Sequence, residues 1–98
     1  MDAFTLLAVE HLTKPQRCAL EVLVRWGDWE PQGVWIYTTT KECIEFPSAT
    51  CVHWRAFAVL EKLGLAYVCN PGWRPREGKL TALGREAAAH LDMMVVPF

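Results

Sequence analysis

The segment SATCVHWRAFAVLEKLGLAYVCNPGWRPREGKLTALG, from Ser48 to Gly84, decides the fold. Ser48 is a good helix cap, and the residues after it support a helix over 49–63. Gly64 stands where a left-handed residue ends such a helix. Residues 65–69 then read as a strand, and Asn70-Pro71-Gly72 as a turn. Residues 73–77 continue the loop, and 78–80 return as a short strand. Thr81 caps a last, alanine-rich helix from 82 to about 94.

Working outward, Thr13 and Gln16 form a capping box around Pro15, which a first helical turn tolerates. Ala19, Leu20, Leu23 and Val24 recur at helical spacing until Gly27, which predicts a helix over 14–26. Residues 27–33 read as loop, and Val34-Trp35-Ile36-Tyr37 as a strand. Thr38, Thr39 and Thr40 can cap a short helix over 41–45, which Phe46-Pro47 breaks. The order is helix, strand, helix, helix, strand, loop, strand, helix. It predicts one α+β domain over 1–98, with its core in about 13–90. The ends are apolar extensions: Phe4, Leu6, Leu7, Val9 and Leu12 at one, and Leu91, Met93, Met94, Val95, Val96 and Phe98 at the other.

Composition narrows the function classes. Of 98 residues, 52% are hydrophobic and 21% charged, which suits a packed core rather than disorder. No apolar run reaches the ~18 residues of a membrane span. Met1 to Leu12 has no basic residue, so it lacks the positive start of a secretory signal. These features predict a cytoplasmic protein without membrane contact. Cys18, Cys43, Cys51 and Cys69 form no C-x-x-C pair, and the expectation is four free, buried thiols. Cys43, Cys51 and His53 do not show the paired spacing of a structural zinc site, so no metal is expected. There is no phosphate-binding glycine loop and no H-E-x-x-H, and no cofactor or catalytic role is assigned.

The net charge of −1 is unevenly spread. Residues 1–40 hold three Lys/Arg against five Asp/Glu, and residues 80–98 hold one against two. Residues 41–79 hold six against four, a surplus of two positive charges. The densest positive site is Arg74, Arg76 and Lys79 beside Trp73. Lys41 is also placed to meet phosphate, but Glu42 and Glu45 beside it oppose a close approach.

Two strings carry a family resemblance. Leu60-Glu61-Lys62-Leu63-Gly64-Leu65-Ala66 looks like the exit from a recognition helix, and Lys79-Leu80-Thr81-Ala82-Leu83-Gly84-Arg85 looks like the end of a wing. In this order, 12 residues apart, they resemble the winged helix-turn-helix domains of small bacterial and phage regulators, especially the MarR-like and PadR-like groups. The resemblance covers about residues 13–90. It implies a three-helix core, a small antiparallel wing sheet and an additional C-terminal helix. Leu65, Tyr67 and Leu80 are expected to pack near that core.

The resemblance also makes 49–63 a recognition helix in the major groove and about 70–79 a wing on the phosphate backbone. Two stripes of that helix can face the core: Val52, Ala56, Val59 and Leu63, or His53, Ala56, Phe57 and Leu60. Matching the family's leucine to Leu60 favours the second. Ser48, Thr50, Trp54 and Arg55 then look outward, with Arg55 able to bond guanine bidentately and Ser48 and Thr50 able to reach phosphate or base edges. Trp73, Arg74, Arg76 and Lys79 are the wing's contacts.

Each has a plainer reading. Ser48 can simply cap its helix, Trp54 can pack on Trp35 or Phe46, His53 can be a satisfied core residue, and the wing cations can be solvated. The expected partners are double-stranded DNA and a second copy joined through the apolar termini. The competing reading is a protein-interaction module, a phage-type adaptor or inhibitor that does not bind DNA.

Overall fold

Thr13 and Gln16 close their capping box. The Gln16 amide donates to Thr13 Oγ1 at 3.4 Å, and the Thr13 amide donates to Gln16 Oε1 at 3.0 Å. The computed structural model describes residues 1–26, 34–37, 51–72 and 76–93. Its elements are α1 (Ala3–Glu10), α2 (Lys14–Trp26), β1 (Val34–Tyr37), β2 (Cys51–His53), α3 (Trp54–Lys62), β3 (Ala66–Val68), β4 (Arg76–Leu80) and α4 (Ala82–His90). The expected helix over 41–45 lies outside the described residues.

The architecture is α+β, and the sheet is mixed, with order β2-β1-β4-β3. β1 is antiparallel to β4, which is antiparallel to β3. That much matches the expected antiparallel sheet. β2 corrects it by pairing with β1 in parallel, with Trp35 opposite Cys51, Ile36 opposite Val52 and Tyr37 opposite His53. The same finding shortens the expected helix over 49–63 to Trp54–Lys62. Val52 explains why: its β-branched side chain is buried beside Ile36, so residues 51–53 alternate as a strand. His53, not Ser48, is the cap, its ring accepting from the Arg55 amide.

Side-chain alternation sorts the sheet. Val34, Ile36, Val52, Ala66 and Leu80 are buried in the core with Leu20 and Leu23 of α2, Ala56, Phe57 and Leu60 of α3, and Ala87 and Ala88 of α4. The second of the two expected stripes is thus the core-facing one for Ala56, Phe57 and Leu60, while Val59 and Leu63 are only partly buried. Tyr67 corrects the expectation of a core role. It alternates with buried Ala66 and is 45% exposed. β4 also starts two residues earlier than expected. The Glu77 amide donates to Asn70 Oδ1 at 2.6 Å and the Cys69 amide donates to the Glu77 carbonyl at 2.9 Å, which extends the hairpin.

The ends depart from simple extensions. Asp2 caps α1 by accepting from the Thr5 amide at 2.7 Å. That bond holds the Asp2 carboxyl below its ordinary range. Val9 and Leu12 are buried in the core, and His90 Nε2 lies 3.1 Å from Glu10 Oε1, joining α1 to the end of α4. α4 stops earlier than expected because Asp92 takes a left-handed conformation (φ 58°) and the Met93 amide turns back to the Ala88 carbonyl at 2.8 Å. Leu91 and Met93 pack partly against the core.

The expectation of four free, buried thiols is also corrected. Cys51 is disulfide-bonded, to a partner outside the described residues, while Cys18 and Cys69 are free. Cys18 is exposed rather than buried. Spacing alone does not reveal such a bond, because pairing depends on proximity in space. Burial, and then the charge of Glu77, push the Cys69 thiol up from its ordinary value.

The two strings meet at one joint. The Gly64 amide donates to the Glu61 carbonyl at 3.0 Å and the Leu65 amide to the Leu60 carbonyl at 2.9 Å, with Gly64 at φ 78°. This is the left-handed helix exit that glycine permits. Thr81 then ties the exit to α4: its hydroxyl donates to the Gly64 carbonyl at 2.6 Å and accepts from the Gly84 amide at 3.0 Å, and its own amide donates to the Leu65 carbonyl at 3.0 Å. Gly84 lies against that same Leu65 carbonyl, and a Cβ there has no room. Gly84→Ala is expected to destabilise the protein by about 3 kcal/mol despite alanine's better helix propensity. Chemical denaturation checks this, and an unchanged or raised midpoint would contradict the joint.

Candidate nucleic-acid interface

β1 and β2 finish side by side, and β2 runs directly into α3. This places Tyr37, His53, Trp54 and Arg55 in one cluster. The Tyr37 and His53 rings meet edge to face with centroids 5.2 Å apart. The His53 and Trp54 rings stack at 6.1 Å with planes 29° apart. The Arg55 guanidinium lies 5.6 Å from the centroid of the Trp54 ring, a cation–π contact. The Arg55 amide donates to His53 Nδ1 at 3.1 Å. Trp54 is 43% exposed and Arg55 is exposed. The outward placement expected for both therefore holds, and Trp54 packs against its two chain neighbours.

Register locates the other cations. Arg76 opens β4 opposite Ile36, whose other neighbour is Val52. Two strand spacings, about 10 Å, separate the Arg76 backbone from that of Val52. Arg76 is exposed, and because β1 runs parallel to β2 and antiparallel to β4, the start of β4 lies at the end of the sheet where β2 runs into α3, with Trp54 and Arg55. Lys79 is three residues along β4, roughly 10 Å away, and sits opposite exposed Tyr67. Of the four cations named from sequence, the three described ones do not form one cluster: Arg55 and Arg76 share an end, and Lys79 lies toward the other. Ser48, Thr50, Trp73 and Arg74 lie outside the described residues.

His53 and Tyr37 were not among the residues expected at this site. His53 looked like a member of an apolar helical stripe, and only the start of α3 at Trp54 moves it to the cap. Tyr37 was one residue of an aromatic strand with no signal for its face. The parallel pairing with β2 supplies that signal, and it joins positions 16 residues apart.

The site is cationic and aromatic in its chemistry. Arg55 and Arg76 are permanent cations with planar donor sets, and Trp54 offers an aromatic surface. No group of three or more His, Cys, Asp or Glu able to hold a metal occurs among the described residues. No helix among them is long and apolar enough to cross a membrane. Comparisons with protein-family models, with characterised proteins and with solved structures returned no match for the chain.

Proposed function

We propose that this chain is a winged helix-turn-helix DNA-binding protein of the regulator type, similar to the MarR-like and PadR-like groups. The observation that carries the reading is the exposed pair Trp54 and Arg55 at the start of α3, with exposed Arg76 at the same end of the sheet. The chain order supports it: a helix, a strand pairing with the last strand of a hairpin, a core-packed helix, the hairpin, and a final helix.

In this reading the first turn of α3 enters the major groove. Arg55 bonds a base edge or phosphate, and Trp54 packs against the sugar–phosphate wall or a thymine methyl. Arg76, with Arg74, Trp73 and Lys79, follows the backbone from the wing. Ser48 and Thr50 precede β2 in sequence and add hydroxyl donors near the groove. With a net charge of −1 over the chain, affinity rests on this local cluster rather than on overall attraction.

A second copy of the chain completes the proposal. Phe4 is 78% exposed and Leu7 57% exposed, three residues apart on one face of α1. Pairing of two such stripes removes them from water and gives the two-fold symmetry that reads paired half-sites. The exposed aromatics Trp26, Trp54 and Tyr67 favour one other reading, a protein-docking module without DNA.

Titration with duplex DNA across salt concentrations tests the function. Wild-type protein is expected to bind with a log–log salt slope of several, and Arg55→Ala and Arg76→Ala each to lower that slope by about one. Failure of every duplex, including a random-sequence pool, to bind better than about micromolar at low salt would contradict the proposal and leave the protein-docking reading. For the second copy, sedimentation at tens of micromolar is expected to show a dimer for wild type and a monomer for Phe4→Glu with Leu7→Glu. A wild-type monomer would refute the pairing.

A further inference from the structure

We propose that His53 is a third DNA-contacting group, acting as a neutral hydrogen-bond donor whose ring is set by the fold. The inference rests on the DNA-binding reading of this site and extends it to a residue that its cations do not suggest.

Three contacts fix the imidazole. Its Nδ1 accepts from the Arg55 amide at 3.1 Å. An acceptor nitrogen carries no proton, so the neutral ring holds its proton on Nε2. Tyr37 meets the ring edge to face, and Trp54 stacks against it, which restricts both rotation and tilt. Nε2 has no hydrogen-bond partner among the described residues, and none of their buried side-chain nitrogens lacks one. The Nε2–H group is therefore a solvated, pre-oriented donor. It belongs to the same three-residue run as Trp54 and Arg55, beside the sheet end that holds Arg76.

A donor of this kind suits a phosphate oxygen or the acceptor edge of a purine. Its ordering is complete before the ligand arrives, so little side-chain entropy is lost on binding. The contact differs in kind from those of Arg55 and Arg76. A neutral donor displaces no condensed counterion, so its loss lowers affinity without lowering the salt slope. Replacement of an arginine lowers both.

Two substitutions separate the ring's two nitrogens. Asn places an acceptor near the position of Nδ1 and is a favourable helix cap, but it has no group at the position of Nε2. Gln carries an amide donor out to the Nε2 position and caps poorly. The experiment is duplex titration of wild type, His53→Asn, His53→Gln and Arg55→Ala at several salt concentrations, with thermal unfolding of each. His53→Asn is expected to unfold near the wild-type temperature yet bind about tenfold more weakly with an unchanged salt slope. His53→Gln is expected to unfold at a lower temperature yet regain most of the affinity.

Wild-type affinity in His53→Asn would overturn the inference while Arg55→Ala still reports on the site. Equal weakening in a folded His53→Asn and His53→Gln would also overturn it, because ring packing rather than the donor would then be responsible. Absence of duplex binding by wild type itself would remove the underlying reading and this inference with it.

Discussion

The hydroxyl of Thr81 holds the structure's main joint, donating to the Gly64 carbonyl and accepting from the Gly84 amide. It ties the end of α3 to the start of α4 between positions 17 apart in sequence. Three requirements converge there. Gly64 must take a left-handed conformation, Gly84 must lack a side chain, and Thr81 must bond in both directions. With the joint closed, β3 and β4 leave and re-enter the core at Leu65 and Leu80, both buried. Gly78 lies directly over Phe57 with no space for a side chain, so the hairpin also rests closely on α3. Tyr67 and Arg76 are thereby displayed rather than packed, and Lys79 is half-buried.

That joint was the most legible part of the fold. Gly64 and Thr81 have local backbone reasons to be where they are, and local reasons are visible in sequence, whereas Gly84 is set by the Leu65 carbonyl 19 residues away and stood in the sequence only as part of the resembling string. The box at Thr13 and Gln16 was legible on the same ground. The short strand Cys51–His53 was not. Val52 fits a helical stripe with Ala56, Val59 and Leu63 as well as it fits a strand, and the choice is made by Ile36 across the sheet. Helix α1 escaped notice for another reason. Its apolar residues run round the helix, from buried Val9 to exposed Phe4, so no periodicity marks a face. The disulfide at Cys51 depends on a spatial approach that spacing does not encode.

The same distinction governs the site. Trp54 and Arg55 were identified because outward positions follow once Ala56, Phe57 and Leu60 are placed inward. His53 and Tyr37 were missed because their meeting depends on a parallel strand pair. The strand also changes the site's character. A helix starting at 49 would present a long first turn of small residues. A helix starting at Trp54 presents an aromatic and a cation at once, braced by an imidazole cap and a tyrosine edge. Electrostatic attraction is then local. Arg55 and Arg76 stand at one end of the sheet, while Lys79 lies toward the other, beside Tyr67.

In the proposed function the start of α3 and the start of β4 form one DNA-contacting surface. Backbone-amide and indole NMR shifts of the isotope-labelled protein, followed during addition of a short duplex, test it most directly. The largest changes are expected at His53, the Trp54 indole, Arg55 and Arg76, with Ala3 to Glu10 of α1 little affected. Changes confined to α1, or none anywhere at millimolar duplex, would contradict it.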